Sequence, residues 1–242
     1  MRIIVVDNYE EMSKKAARMI ASQVMLKPDS VLGLATGDTP LGMYKELVKL
    51  FDNEEVDFNE VRTFNLDEYY GLSSESPHSY YSYMINNLFN HINIKRENIN
   101  VPSGLAKDIN TVCIEYENKI KKAGGIDMQV LGIGGNGHIG FNEPDVNFEA
   151  ETHLVNLDEQ TIKANSRFFN SIEDVPVKAI SMGIKTIMNS KKIILLVSGI
   201  SKAEVIEKAI KGKINPNLPA SILQLHNDVT IILDKEAASY LD

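Results

Sequence analysis

The fold is decided by the stretch Met128-Gln129-Val130-Leu131-Gly132-Ile133-Gly134-Gly135-Asn136-Gly137-His138-Ile139-Gly140-Phe141-Asn142-Glu143-Pro144. Its apolar start is typical of a buried strand, and five glycines follow within the nine residues 132–140. Glycine lets backbone amides approach a small ligand closely, so the amides of Gly135 and Gly137 are candidate ligand contacts. Open α/β sheets bind ligands at the carboxyl ends of their strands, which is where His138 and Glu143 would lie. The stretch therefore predicts an active-site loop.

A dinucleotide-binding loop is the alternative interpretation of these glycines. Gly132, Gly134 and Gly137 match the spacing G-x-G-x-x-G. That motif works only when a helix opens at the third glycine and presents its amides to a pyrophosphate. Here another glycine, an asparagine and Pro144 follow within seven residues, which is incompatible with a helix. We therefore reject nucleotide binding.

Apolar runs of strand length alternate with segments of helical periodicity along the chain. Met12, Ala16 and Ile20 share one helical face, for example, and Tyr44 and Leu47 share another. Strands that are apolar throughout and alternate with helices indicate a mostly parallel sheet covered on both faces. We predict an α/β fold, a three-layer αβα sandwich with a Rossmann-like open sheet, as a single domain over residues 1–242. The expected strands are Ile3–Val6, Val31–Ala35, Val61–Leu66, Met128–Ile133, His153–Leu157, Ile193–Val197 and Val229–Leu233.

The composition limits the class of protein. The net charge is −8 and the chain has no run of basic residues, so neither nucleic acid nor an anionic membrane surface is an expected partner. No apolar stretch approaches the length of a membrane span, and the N-terminus does not resemble a signal peptide. Cys113 is the single cysteine, which predicts neither a disulfide framework nor a cysteine-based zinc site. A cytoplasmic protein is expected.

The first candidate binding loop is Leu34-Ala35-Thr36-Gly37-Asp38-Thr39-Pro40. Thr39 followed by Pro40 predicts a helix start with Thr39 as the N-cap. The free amides of Gly37, Asp38 and Thr39 would then point at whatever occupies the loop, and a phosphate suits them. An ordinary strand-to-helix turn explains this local sequence equally well.

Adjacent carboxylates end the next strand, in Phe64-Asn65-Leu66-Asp67-Glu68-Tyr69. A carboxylate at this edge of the sheet can act as a general base if its surroundings raise its pKa. Acids at strand ends are more often solvated or cap helices. The glycine loop, which would meet the same edge, shifts the interpretation of Asp67 towards catalysis.

His138 and Glu143 admit three interpretations. A metal site would need further ligands, and the chain has neither a His-Glu-x-x-His motif nor a cysteine partner, so no metal is expected. A purely structural histidine rarely lies among so many glycines. Acid/base work by His138, supported by Glu143, fits best, with Asn136 orienting the ring or the substrate. The other four histidines are interpreted as surface or structural residues: His78, His91, His153 and His226.

Two cations in irregular regions are candidates for binding an anion. Arg167 precedes two aromatics within residues 153–182, a polar and less regular segment that is a candidate for a mobile lid over the site. Lys202 lies at a strand–loop–helix junction. A lysine at a helix start opposes the helix dipole and therefore needs an anionic partner.

Taken together, these loops make the chain resemble the glucosamine-6-phosphate deaminase family, which belongs with the glucosamine/galactosamine-6-phosphate isomerases. The resemblance is nearly full-length, and several motifs in order are far more specific than any one of them. The blocks that carry it are Thr36-Gly37-Asp38-Thr39-Pro40, Phe64-Asn65-Leu66-Asp67-Glu68-Tyr69, Ser79-Tyr80-Tyr81, the glycine loop through Pro144, Asn165-Ser166-Arg167-Phe168-Phe169 and Leu223-Gln224-Leu225-His226.

The resemblance implies conversion of glucosamine 6-phosphate and water to fructose 6-phosphate and ammonia, without a metal or organic cofactor. It implies that Asp67 moves the proton at C2 and that His138, supported by Glu143 and Asn136, opens the sugar ring. It also implies phosphate and sugar contacts from Thr36, Gly37, Thr39, Arg167 and Lys202.

The chain also departs from the pattern of the family. Position 136 is Asn where some members carry Asp, so His138 would rely on Glu143 for negative charge. Some members are hexamers activated by N-acetylglucosamine 6-phosphate, but the residues after Pro144 lack the cations and serines for this. We therefore expect a monomer or small homo-oligomer. A galactosamine-6-phosphate deaminase, a 6-phosphogluconolactonase and a non-catalytic sugar-phosphate sensor remain alternatives.

Overall fold

A parallel β-sheet forms the centre of the protein. The computed structural model describes residues 1–241, and seven strands of this sheet are hydrogen-bonded in the order β1-β10-β9-β6-β2-β3-β5, with every pair parallel. Their bounds are β1 (Arg2–Val6), β2 (Val31–Leu34), β3 (Arg62–Asn65), β5 (Ile99–Asn100), β6 (Met128–Leu131), β9 (Lys192–Val197) and β10 (Val229–Asp234).

Helices cover both faces of this sheet. Neighbouring residues of one strand enter different cores: Val31 packs into one apolar cluster and Leu32 into the other, because side chains alternate across a strand. The predicted three-layer αβα architecture is therefore confirmed. The helices are α1 (Tyr9–Leu26), α2 (Asp38–Asp52), α3 (Tyr80–Asn87), α4 (Ile109–Lys122), α5 (Glu159–Asn165), α6 (Ile184–Met188) and α7 (Ala203–Lys211). None of the helices described within residues 1–241 is long and apolar enough to cross a membrane.

A second, antiparallel sheet lies beside the carboxyl edge of the first. It consists of β4 (Asp67–Tyr69), β8 (Lys178–Ser181) and β7 (His153–Asn156), in that order. The pairing Asp67↔Ser181↔His153 joins the strand that carries Asp67 to both ends of the segment 153–182. The predicted lid is thus anchored by strands at both ends, with α5 between them, and its mobility stays a prediction.

The start of α2 differs from the prediction. The helix begins at Asp38, and its N-cap is Gly37, at φ 101°, rather than Thr39. That φ lies in the left-handed region, which glycine adopts at little cost, so the chain turns into the helix two residues earlier than a threonine cap would allow. Pro40 falls in the first turn, where its missing N–H costs no helical hydrogen bond. The amides of residues 37–39 therefore still face the end of β2.

Candidate active site

The loops after β2, β3, β6 and β9 meet at the carboxyl edge of the parallel sheet and line a cleft of about 650 Å³. Residues of the lid form its remaining wall. Ligand sites in open α/β sheets lie at this edge, where neighbouring loops diverge. Ten of the twelve predicted site residues line the cleft: Thr36, Gly37, Asp38, Thr39, Asp67, Gly135, Asn136, His138, Arg167 and Lys202.

The glycine loop folds back on itself instead of starting a helix. The amide of Gly134 donates to the carbonyl of His138 at 2.9 Å, and that of Gly137 donates to the carbonyl of Gly134 at 3.1 Å. A Cβ at Gly134 would lie 2.4 Å from Cε1 of His138, so only glycine allows the imidazole to lie against this turn. Gly137 does not line the cleft; it is buried against Leu218, which makes it a packing residue rather than the predicted ligand contact.

His138 is held by a network of hydrogen bonds centred on Glu143. Oε2 of Glu143 lies 3.1 Å from Nδ1 of His138 and accepts a hydrogen bond from Nδ2 of Asn136 at 2.8 Å. The other carboxylate oxygen, Oε1, accepts from the hydroxyl of Thr161 at 2.6 Å. Asn136 also accepts from the amide of His138 at 3.2 Å through Oδ1. Because Glu143 engages Nδ1, the free nitrogen Nε2 is the atom available for proton transfer.

Glu143 does not line the cleft but lies behind His138. Burial acts to raise the pKa of this carboxyl, but the hydrogen bond and charge of His138, with the hydrogen bonds from Thr161 and Asn136, outweigh burial and lower it. Glu143 is therefore ionised at neutral pH and stabilises a positive charge on His138. This position, in contact with His138 and outside the lining of the cleft, fits the supporting role predicted from the sequence, which stays a prediction.

Asp67 has the opposite environment. Its side chain is only 6% exposed, and among residues 1–241 no donor forms a hydrogen bond to its carboxyl. Burial, together with the nearby charge of Glu68, raises the pKa of Asp67 to about 8. The carboxyl faces the glycine loop: a Cβ at Gly140 would lie 3.7 Å from Oδ2. A carboxyl with a pKa close to neutrality, lining a cleft, can both accept and return a proton.

The adjacent acid, Glu68, has a structural role. Its carboxylate accepts from the backbone amides of Tyr69, Tyr80 and Tyr81 at 2.8, 2.9 and 2.9 Å. Two of those amides belong to the first turn of α3, whose free N–H groups need acceptors. Glu68 thus anchors α3 to β4, and only Asp67 is left for chemistry.

Tyrosine hydroxyls fix the backbone of the loop that precedes α2. Tyr83 donates to the carbonyl of Gly37 at 2.6 Å, and Tyr9 donates to that of Asp38 at 2.8 Å. Tyr9 in turn accepts from the amide of Gly42 at 2.7 Å. A Cβ at Gly37 would meet no atom within 4 Å, so space remains open above the loop. The loop amides therefore present a preformed, positive surface to the cleft.

The two predicted cations lie together on the rim of the cleft near these amides. Nη2 of Arg167 lies 2.8 Å from Oδ2 of Asp38, and its guanidinium lies 4.7 Å from the centre of the Phe168 ring. Lys202 is half-buried and has no carboxylate within 4.0 Å among residues 1–241. Burial and the neighbouring charge of Arg167 lower the pKa of Lys202. An anion placed between the two cations would offset the repulsion between Arg167 and Lys202, and it would stabilise the charged form of the half-buried Lys202.

Aromatic residues of the cleft were only partly predicted. Tyr80, in the first turn of α3, lines the cleft and packs against Tyr69, with ring centres 4.7 Å apart. His78 lines the cleft and stacks on Phe169 of the lid, with ring centres 4.7 Å apart. His78 is half-buried, which is compatible with its interpretation as a surface or structural residue, although the sequence did not place it at the cleft.

The chain is similar to known proteins over most of its length. The family model described as glucosamine-6-phosphate isomerases/6-phosphogluconolactonase matches residues 7–232. The chain belongs to this family. Within it, a protein from Clostridium botulinum (strain Loch Maree / Type A3) named glucosamine-6-phosphate deaminase is 71% identical over 242 residues, 100% of this chain and 99% of the relative.

Solved structures of family members superpose on this chain. A structure described as a monomeric glucosamine-6-phosphate deaminase matches with a TM-score of 0.97 at 50% identity, over 99% of this chain and 100% of that one. A 6-phosphogluconolactonase from Thermotoga maritima matches with a TM-score of 0.76 at 20% identity, over 97% of this chain and 99% of that one. The second likeness shows a shared fold only.

Proposed function

We propose that this protein is a glucosamine-6-phosphate deaminase, which converts glucosamine 6-phosphate and water to fructose 6-phosphate and ammonia. The observation that carries the proposal is the presence of two acid/base groups of different character, Asp67 and His138, in one cleft with a cation pair. A closed amino sugar must be opened and then enolised, and these two proton transfers take place at different atoms of the substrate. The relative at 71% identity bears the same name.

Ring opening is the task of His138. Opening the pyranose transfers a proton from the hydroxyl at C1 to the ring oxygen and leaves an aldehyde at C1. Nε2 of His138 is free to take and return that proton, because Nδ1 is engaged by Glu143 at 3.1 Å. The transient imidazolium is stabilised by the ionised Glu143.

Isomerisation is the task of Asp67. As the carboxylate, it removes the proton from C2 of the open sugar and so forms an enolamine between C1 and C2. It then returns a proton to C1, which leaves an iminium at C2, and water hydrolyses this iminium with release of ammonia. A pKa of about 8 suits a group that must gain and lose a proton in one turnover.

The phosphate is the part of the substrate that suits the opposite end of the cleft. Arg167 and Lys202 supply positive charge, and the amides of residues 37–39 at the start of α2 supply donors. Thr36 and Gly135 line the same cleft. A 6-phosphorylated sugar anchored there has its C1 and C2 held away from the cations.

Ammonia release by the purified protein tests the proposal. Glucosamine 6-phosphate should yield fructose 6-phosphate and ammonia, and galactosamine 6-phosphate serves as the epimer control. Faster release from the galacto epimer would reassign the substrate. Hydrolysis of 6-phosphogluconolactone without any ammonia release would favour a lactonase, which has no need of a base at C2. Sugar-phosphate binding without turnover would favour a sensor.

The assembly and domain organisation follow from the same proposal. All the site residues come from one chain, so a monomer or small homo-oligomer is sufficient, and the structural relative at 50% identity is described as monomeric. We propose that residues 1–242 act as one catalytic domain. The cytoplasmic location stays a prediction from the sequence. Light scattering during gel filtration would measure the oligomeric state directly.

A further inference from the structure

The contact between Asp38 and Arg167 places a carboxylate where the proposed phosphate should bind. Oδ2 of Asp38 and Nη2 of Arg167 lie 2.8 Å apart, and both residues line the cleft. Asp38 opens α2, and Arg167 lies in the short 3-10 turn Ser166–Phe168 of the lid. The ion pair therefore joins the start of α2 to the lid.

This ion pair is weak enough for a phosphate to replace the carboxylate of Asp38 as the partner of Arg167. The side chains of Arg167 and Asp38 are 63% and 56% exposed, and exposed pairs contribute only about 0–1 kcal/mol. A phosphate group carries a charge of about −1.5 to −2 at neutral pH and has three acceptor oxygens, so it is a stronger partner for a guanidinium than one carboxylate. The Phe168 ring, 4.7 Å from the guanidinium, supports Arg167 in either state.

Asp38 cannot leave the site with its backbone. Tyr9 holds the carbonyl of Asp38 at 2.8 Å, and Tyr83 holds the preceding carbonyl, that of Gly37, at 2.6 Å. Only the side chain can turn away when an anion arrives. Two negative charges about 4 Å apart repel by about 4 kcal/mol near a protein surface, so a bound phosphate and the inward carboxylate exclude each other.

We infer that Asp38 is an internal counter-ion, which occupies Arg167 in the free enzyme and competes with the phosphate of the substrate. The competition lowers affinity for every phosphorylated ligand, including inorganic phosphate. It also keeps Arg167 facing the cleft when no substrate is present. The inference rests on the proposed phosphate role of Arg167, but it can be tested without turnover.

Binding of inorganic phosphate, measured by isothermal titration calorimetry, tests the inference. Asp38→Asn keeps the shape of the side chain and removes its charge, and should tighten phosphate binding about two- to tenfold. Asp52→Asn, at the far end of the same helix, changes the net charge equally and should leave the dissociation constant unchanged. In an Arg167→Ala background, most of the gain from Asp38→Asn should disappear.

Three results would overturn the inference. Asp38→Asn could weaken phosphate binding, it could leave binding unchanged, or it could give the same gain with and without Arg167, which would indicate a simple charge effect. In the steady state, Asp38→Asn should lower KM for glucosamine 6-phosphate by the same factor without raising kcat. If no amino-sugar phosphate is turned over but the phosphate titrations behave as expected, the proposed function fails while the counter-ion role stands.

Discussion

Asp67 and Glu143 are both removed from solvent near one cleft, yet their pKa values move in opposite directions. Asp67 has no hydrogen-bond donor among residues 1–241, and burial raises its pKa to about 8. Glu143 is also penalised by burial, but contacts from His138, Thr161 and Asn136 lower its pKa. Burial alone therefore does not set the state of a carboxyl, because neighbouring positive charge and hydrogen-bond donors can outweigh the desolvation that burial causes.

The difference assigns separate tasks to the two acids. A carboxyl whose pKa lies near neutrality can exchange protons with a substrate, whereas a permanently ionised one can only stabilise a neighbouring positive charge. Glu68 lies between these two cases: three backbone amides donate to it, yet burial still raises its pKa. Its carboxylate is occupied by those amides, whereas the carboxyl of Asp67 has no hydrogen-bond donor among residues 1–241 and remains available for proton transfer.

The largest effect should come from Asp67→Asn. The amide keeps the shape of the side chain but cannot take the proton from C2, so exchange of this proton with deuterated water should become undetectable, and turnover should fall at least about 10²–10⁴-fold. Nuclear magnetic resonance of glucosamine 6-phosphate recovered from the reaction measures the exchange. Exchange at the wild-type rate would remove Asp67 from the mechanism.

A smaller loss is expected for Glu143→Gln. The variant removes the charge that stabilises protonated His138, and losing a charged hydrogen bond of about 1.5–3 kcal/mol lowers kcat/KM roughly ten- to hundredfold. An acyclic analogue, 2-amino-2-deoxyglucitol 6-phosphate, has no ring to open and should bind the variant with unchanged affinity. Weaker binding of this analogue would indicate that Glu143 shapes the cleft and does not act through ring opening.

Replacing a cation should change binding and spare the chemistry. Arg167→Ala or Lys202→Ala removes a charged hydrogen bond to the phosphate, which weakens binding by about 1.5–3 kcal/mol. The effect should be larger for Lys202, which is half-buried, than for Arg167, which is exposed. Substrate titrations should show a raised KM with the pH profile intact. An unchanged KM in either variant would exclude that residue from the phosphate site.

The pH dependence of stability should have opposite signs for the two acids. Asp67 binds its proton more tightly when folded, with a pKa of about 8 against 3.8, so its ionisation lowers the free energy of unfolding as pH rises through this interval. Asp67→Asn should therefore raise Tm near pH 8, and the gain should vanish towards pH 4.

Glu143, with a lowered pKa, contributes stability above its unfolded pKa that is lost as pH falls. Glu143→Gln should accordingly lower Tm at neutral pH and have less effect in acid, and calorimetric scans from pH 4 to pH 8 compare the two.

The contrast between the two acids was only half visible in the sequence. The positions of Asp67, His138 and Glu143 follow from strand ends and from a loop too rich in glycine to continue as a helix. The donors that set the pKa values come from distant segments: Thr161 lies 18 residues from Glu143, and the amide of Tyr80 lies 12 residues from Glu68. Local periodicity carries no information about such pairings.

Two of the strands that were not predicted are very short. The strands β4 and β5 have three and two residues, too few for an alternating pattern to be recognised. The prediction of Thr39 as the N-cap was wrong because Gly37, with a positive φ, caps the helix two residues earlier. Preferences of residue types for the N-cap position do not indicate this conformation of a glycine. The long strands and the helices α1 and α2 were placed correctly, whereas the 14-residue helix α4 (Ile109–Lys122) was not predicted.

No effect is expected from N-acetylglucosamine 6-phosphate, which should not activate this enzyme. The family resemblance places the effector site of the activated members after Pro144, and an anionic effector needs converging cations there. Residues 144–155 contain Asp145, Glu149 and Glu151 but no lysine or arginine, and the nearby Lys185 is already paired with Glu151 at 2.9 Å. A phosphate would be repelled, so rate curves for glucosamine 6-phosphate should be hyperbolic with or without this compound. Sigmoidal curves that become hyperbolic when N-acetylglucosamine 6-phosphate is added would show that a second binding site controls the activity of the acid/base groups.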